Sequence, residues 1–152
     1  MAAPFRFDRS WVFPADLDGV WEALTATDDY PRWWPWLRAL DVDGFAPGAT
    51  ARCVIRGPLP YTLRCTVHVL DMVPRERVVS EISGDLHGPA RLDLTGNGAG
   101  CSARLSWSLE LRAAPLRRLA VVARPAMQWA HDYVVSSGVD SFRRQALDGR
   151  VP

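Results

Sequence analysis

Between residues 4 and 13 apolar and polar side chains alternate. Phe5, Phe7, Trp11 and Phe13 fall on one face, with Arg9 among them, against Arg6, Asp8, Ser10 and Val12 on the other. A period of two predicts a strand with one face to bury. The pattern then turns helical. Pro14 suits the first turn of a helix, where its missing N–H leaves no bond unmade. Asp16, Asp18 and Glu22 put negative charge near the positive end of that helix. Leu17, Val20, Trp21 and Leu24 recur at helical spacing and form one apolar stripe. A second short turn is expected at Asp28-Asp29-Tyr30, before the segment Arg-Trp-Trp-Pro-Trp breaks it.

The alternation resumes downstream. A weak second strand spans 37–43 and closes at Gly44 and Pro47. Ala51, Cys53 and Ile55 mark the inner face of a third strand, which ends in the turn Gly57-Pro58-Leu59-Pro60. Leu63, Cys65, Val67 and Val69 mark a fourth, ended by Pro74, with Thr62, Arg64, Thr66 and His68 facing out. Val78 and Ile82 anchor a fifth strand; Ala90, Leu92 and Leu94 anchor a sixth. Gly96-Asn97-Gly98 signals a hairpin, because Asn-Gly readily takes the positive φ of a tight reversal. The seventh strand is the cleanest: Ala103, Leu105, Trp107, Leu109 and Leu111 alternate with Ser102, Arg104, Ser106, Ser108 and Glu110. One apolar and one wet face predicts an antiparallel sheet covered on one side.

From Pro115 to about Asp148 the period lengthens. Leu116, Leu119, Ala120, Ala123, Met127, Ala130, Val134 and Ser141 share one arc; Arg118, Asp132, Ser136, Asp140 and Arg143 share the opposite one. Pro125 interrupts the run and predicts a kink or break. Seven strands and one long helix make an α+β domain.

Composition bounds the function without choosing it. The chain has 152 residues, 48% hydrophobic and 23% charged, with a formal net charge of +1. That is one soluble domain's composition, with no field that would attract nucleic acid or an anionic membrane. All 18 basic residues are arginine, which hints at a GC-rich bacterial genome. The N-terminal residues carry charge where a signal peptide needs an apolar core, and no run suits stable membrane insertion. A cytoplasmic location is expected. Three cysteines without a C-x-x-C pair argue against a disulfide framework.

Five of the seven tryptophans fall between Trp11 and Trp36. A strand, a helix pair opening with Pro-Ala, then Val-Trp, then Tyr-x-x-Trp-x-Pro-Trp resembles the start of a START-like domain. That superfamily includes Bet v 1-like proteins and bacterial polyketide cyclase/dehydrase-like proteins, and Trp129-Ala130-His131-Asp132 is similar to a segment of the latter. The resemblance covers nearly the whole chain and implies a single START-like domain over residues 1–152. It implies a helix-grip fold: a curved seven-stranded antiparallel sheet wrapped around a long C-terminal helix, with two short helices between strands 1 and 2. One helix cannot fill the concave side of such a sheet, so an apolar cavity is expected. It would take a lipid, a polyketide or an aromatic metabolite, or serve an aromatase/cyclase or dehydratase. A protein-interaction module of the kind related chaperone co-activators use is a third reading.

On this pattern the strands would contribute Ile55, Leu63, Cys65, Leu92 and Trp107 to a ligand site. The long helix would add Met127, His131 and Val134, and the exit of the helix pair Trp34. His131 could act as a general acid or base near neutral pH, line the cavity, or serve structure by bonding Asp132 or a strand carbonyl. Tyr133 and Arg9 are the other candidates for moving or stabilising a proton. Arg9 could instead clamp a ligand oxygen, snorkel outward or pair with a carboxylate. Cys53 and Cys65, near-opposite across a turn, read as a redox pair or as two buried thiols. His68 and His87 lie on different strands, so no metal is expected, and no Gly-rich phosphate loop or G-x-S-x-G elbow occurs. No cofactor is implied. Val122, Pro125 and Trp129 project onto the charged side of the helix as an apolar strip beside Arg118. The strip reads as a homodimer interface, as a surface for a membrane or partner, or as buried by rotation at Pro125.

Overall fold

The alternation read from the sequence sorts side chains onto the two faces of one sheet. A computed structural model describes residues 5–58, 61–98, 100–112 and 114–146, with the side chains of 97, 114–117, 119–121 and 146 outside that description. The strands are β1 (Phe5–Phe13), β2 (Leu37–Val42), β3 (Thr50–Ile55), β4 (Leu63–Val73), β5 (Arg77–Gly84), β6 (Leu86–Asn97) and β7 (Gly100–Leu111). They form one antiparallel sheet in the order β1-β7-β6-β5-β4-β3-β2. Consecutive strands pair through short connections, except that β1 joins the far side of β7 in the register Phe5 to Leu109 and Phe13 to Cys101. Register shifts between Leu37 and Ala39 and between Val69 and Asp71 bend the sheet.

Gly88 marks a close approach of β6 to β7. Its φ is +151°, and a Cβ there would lie 1.9 Å from the Ser108 carbonyl oxygen. No other residue fits that place.

Helix α1 (Leu17–Thr25) begins later than Pro14 suggests. Asp16 is the cap: its Oδ1 accepts a hydrogen bond from the Gly19 amide at 2.8 Å, while Pro14 lies in the preceding bend. A side-chain acceptor for an orphan amide fixes a helix start more firmly than proline's preference for the first turn. Val20 and Ala23 are fully buried, and Leu17, Trp21 and Leu24 pack around them. A 3₁₀ turn (Thr27–Asp29) leads into α2 (Tyr30–Trp33). The Tyr30 hydroxyl donates to the Leu24 carbonyl, tying the two helices together. Burial pushes that phenol well above its ordinary range.

The hairpin reverses one residue later than expected. Asn97 still pairs with Gly100, and Gly98 takes φ +75°. Helix α3 (Ala114–Ser141) carries the expected kink: Ala123 leaves helical geometry at φ −107°, ψ 16°, two residues before Pro125. Proline removes one ladder bond and crowds the preceding turn, which bends the axis there. A π turn (Phe142–Ala146) follows, and Asp148 lies outside the described residues. This is the helix-grip arrangement, with α3 across the concave face of an open, curved sheet.

The strip on α3 stays outside. Val122 is 79%, Trp129 57% and Tyr133 52% exposed, so the kink does not bury it. Among the described residues no helix is long and apolar enough to cross a membrane.

Candidate functional site

Between the sheet and α3 lies a cavity of about 440 Å³. That is within the ~300–1,000 Å³ usual for small-molecule sites. Strand parity builds one wall: the inward residues of β7, from Ala103 to Leu111, all face it. Helical period builds the other, with Met127, Ala130, His131, Val134 and Gly138 at successive turns of α3. All nine residues expected at a ligand site border this cavity: Trp34, Ile55, Leu63, Cys65, Leu92, Trp107, Met127, His131 and Val134.

Two of the three proton-handling candidates do not. Tyr133 lies two residues beyond His131, about 200° further around the helix. Its exposed ring leans on Trp129, centroids 5.9 Å apart. Arg9 has the expected parity but is exposed, its guanidinium 5.5 Å from the centre of the Phe7 ring. The charge reaches water rather than the cavity, and it lies close enough to Asp132 to act on that carboxyl.

His131 is fixed at both ring nitrogens. The Trp107 indole N–H donates to its Nε2 at 2.9 Å, and its Nδ1 lies 3.1 Å from Asp132 Oδ1. Indole can only donate, so Nε2 must carry a lone pair and the proton resides on Nδ1, donated to Asp132. Phe7 stacks on Trp107 at 4.7 Å and meets the imidazole edge-on at 5.5 Å. Gln128 Nε2 also donates to Asp132 Oδ1 at 3.1 Å. Burial alone would raise the Asp132 carboxyl. The hydrogen bonds from His131 and Gln128, with the nearby charge of Arg9, outweigh it and hold the carboxyl below its ordinary value. His131 thus links a half-exposed carboxylate to the cavity wall, with its Nε2 lone pair occupied.

The far end is built from the tryptophan cluster. Trp34 and Trp36 stack 5.4 Å apart, and the Trp34 Nε1–H donates to the Gly138 carbonyl at 2.8 Å. A Cβ on Gly138 would lie 3.2 Å from Trp36 Cζ2, close enough that the indole would have to give by a few tenths of an ångström. Cys53 and Cys65 are directly opposite in the β3–β4 register, and the Cys53 thiol donates to the Cys65 carbonyl at 3.4 Å. Burial, with the neighbouring Cys65, pushes the Cys53 thiol up to about 11. Both thiols are therefore protonated at neutral pH and pack as small neutral groups.

His68 faces out and shares a hydrogen bond with Thr50 Oγ1 at 3.2 Å. Among the described residues no three metal-ligating side chains gather. Strand parity puts Phe5, Trp11 and Phe13 on the inner face of β1 without marking them as a site, yet all three line the cavity. Sequence reasoning also misses Tyr61 and Trp36. Each sits outside regular strand or helix, where no period says which way it points.

Several solved structures share this architecture at low sequence identity. A Thermus thermophilus protein is 14% identical with a TM-score of 0.77, covering 95% of this chain and 99% of its own. The Zhui aromatase/cyclase from Streptomyces sp. R1128 is 14% identical with a TM-score of 0.75, covering 94% and 93%. A START superfamily protein from Mycobacterium smegmatis is 11% identical with a TM-score of 0.63, covering 96% of each chain. At such identities the likeness concerns the fold. No curated protein is similar enough in sequence to count as a relative. The model of the family described as polyketide cyclase / dehydrase and lipid transport matches residues 4–146. With its fold shared across the START/Bet v 1 superfamily, this chain belongs to that family.

Proposed function

We propose that the protein binds and carries a hydrophobic or amphiphilic small molecule, a lipid, polyketide or aromatic metabolite, inside the cavity. One observation supports this above all: a hollow of about 440 Å³ remains between sheet and helix, walled by apolar and aromatic side chains. Interiors otherwise pack to crystal density, so space of this size is a built feature. Trp11, Trp34, Trp36 and Trp107 line it and report on an occupant. Titration with a fluorescent apolar probe should quench tryptophan emission saturably. Replacing Ile55 and Val134 together by Phe should weaken binding at least about tenfold while unfolding stays cooperative. Quenching that rises linearly without saturation would refute the reading.

A second reading is an aromatase/cyclase or dehydratase, favoured by His131 at the wall with Asp132 hydrogen-bonded behind it. A substrate hydroxyl or enol would have to displace the Trp107 N–H from Nε2 before that lone pair could take a proton. Turnover of a polyketide-like substrate that disappears in His131→Gln would support it; unchanged turnover would remove His131 from it.

The Val122, Pro125, Trp129 strip, extended by Tyr133, suits a homodimer contact. Sedimentation velocity should show wild type dimerising at high concentration and Trp129→Ala remaining monomeric. A wild type that is monomeric throughout ends that idea.

A further inference from the structure

Among the described residues that line the cavity, none carries a carboxylate or a guanidinium. The polar groups that do face it are neutral donors or are already engaged. The Cys53 thiol is spent on the Cys65 carbonyl, the Trp34 indole on Gly138, and the Trp107 indole on His131. The imidazole is itself engaged at both nitrogens, by that indole and by Asp132. The Tyr61 phenol, half-buried at the wall, is raised further by burial. Nearby guanidinium groups stand behind aromatic rings: Arg124 over Phe5 at 4.4 Å and Arg143 over Phe13 at 5.3 Å, neither of them lining the space.

We propose that this cavity selects electroneutral ligands, such as an alcohol, ester, ketone or hydrocarbon, and rejects the same skeleton bearing a carboxylate or sulfonate. The inference rests on the ligand-binding role proposed above and narrows it. An ion leaving water needs a paired charge or a dense set of donors at its destination, and this wall offers neither. A carboxylic acid therefore enters only as its protonated form. With an ordinary carboxyl value near ~4.3, that form is less than about one part in a thousand at about pH 8. Apparent affinity falls by the same factor and recovers about tenfold for each pH unit of acidification.

The test uses the uncharged probe N-phenyl-naphthylamine, bound to wild-type protein and displaced by dodecanol or by dodecanoate at about pH 8 and about pH 6. Dodecanol should compete equally at both. Dodecanoate should need about a thousandfold more at the higher pH and improve about a hundredfold at the lower. The sulfonated form of the probe should bind at least about a hundredfold more weakly than the parent, at either pH. If dodecanoate competes within about tenfold of dodecanol at about pH 8, or without pH dependence, the carboxylate has found an ionic partner such as Arg124 and the selectivity is wrong, while the cavity reading stands. If neither the probe nor dodecanol binds saturably, both proposals fall together.

Discussion

At the residue scale the chemistry of the interior is set by hydrogen bonds that leave little spare. Trp107 makes His131 an acceptor at Nε2, so the imidazole should exist as the Nδ1–H tautomer. Nitrogen-15 NMR of His131 should show that form in the wild type, and Trp107→Phe should release Nε2 to exchange tautomers. An unchanged tautomer in the variant would place the control at Asp132 alone. The thiols make a second case. With the Cys53 thiol pushed from near 9 to about 11, its thiolate fraction at about pH 8 is about a hundredfold below that of an ordinary cysteine. Alkylation by iodoacetamide, followed by mass spectrometry, should be slower at Cys53 by about that factor. The linkage has a definite sign. Between 9 and 11 the unfolded chain releases this proton and the folded chain keeps it. Stability is full below 9 and drains as pH rises toward 11, which denaturant titrations across that window will read.

At the element scale α3 does most to shape the cavity, and it was only partly legible in sequence. Helical period correctly turned Met127, Ala130 and Val134 inward and Arg118 and Ser136 outward. Tyr133, a candidate proton carrier, lies about 200° around the helix from His131 and faces out. What period cannot supply is distance. The Trp107–His131 bond joins residues 24 apart on different elements, and nothing local announces it. Arg9 takes the outward alternative: parity points it inward, but at the open edge of the sheet its long side chain reaches past Phe7 to water. Packing of α3 against the tryptophan cluster is testable. Trp34→Phe deletes the donor to the Gly138 carbonyl and should cost about 1–3 kcal/mol, because the acceptor is left unpaired in a poorly hydrated place. Gly138→Ala should also destabilise, since its Cβ would crowd Trp36 at 3.2 Å. Thermal unfolding of both variants checks this, and an unchanged midpoint in either would mean the contact yields without strain.

At the scale of the molecule the fold follows from counting. Seven alternating runs and one long apolar arc leave few alternatives to a sheet covered on one face, so the architecture was legible. The size of the hollow was not, because it depends on how sharply the strands bend, and that bend is made at a few points. The close approach of Gly88 to Ser108 is a different constraint on the sheet. Gly88→Ala would set a methyl group against the Ser108 carbonyl and should lower the unfolding midpoint by many degrees or prevent folding. A variant that folds with normal stability would show that the strand has slack elsewhere.

The pairing of β1 with β7 has a consequence for how such a protein is made. Phe5, Phe7, Trp11 and Phe13 are made well before their partner strand, which follows roughly a hundred residues later. During that wait a greasy ribbon has no mate and must be sheltered by the growing chain or by a chaperone. Closure of the sheet thus waits for β7, and a ligand can be enclosed only once α3, made later still, lies across the concave face.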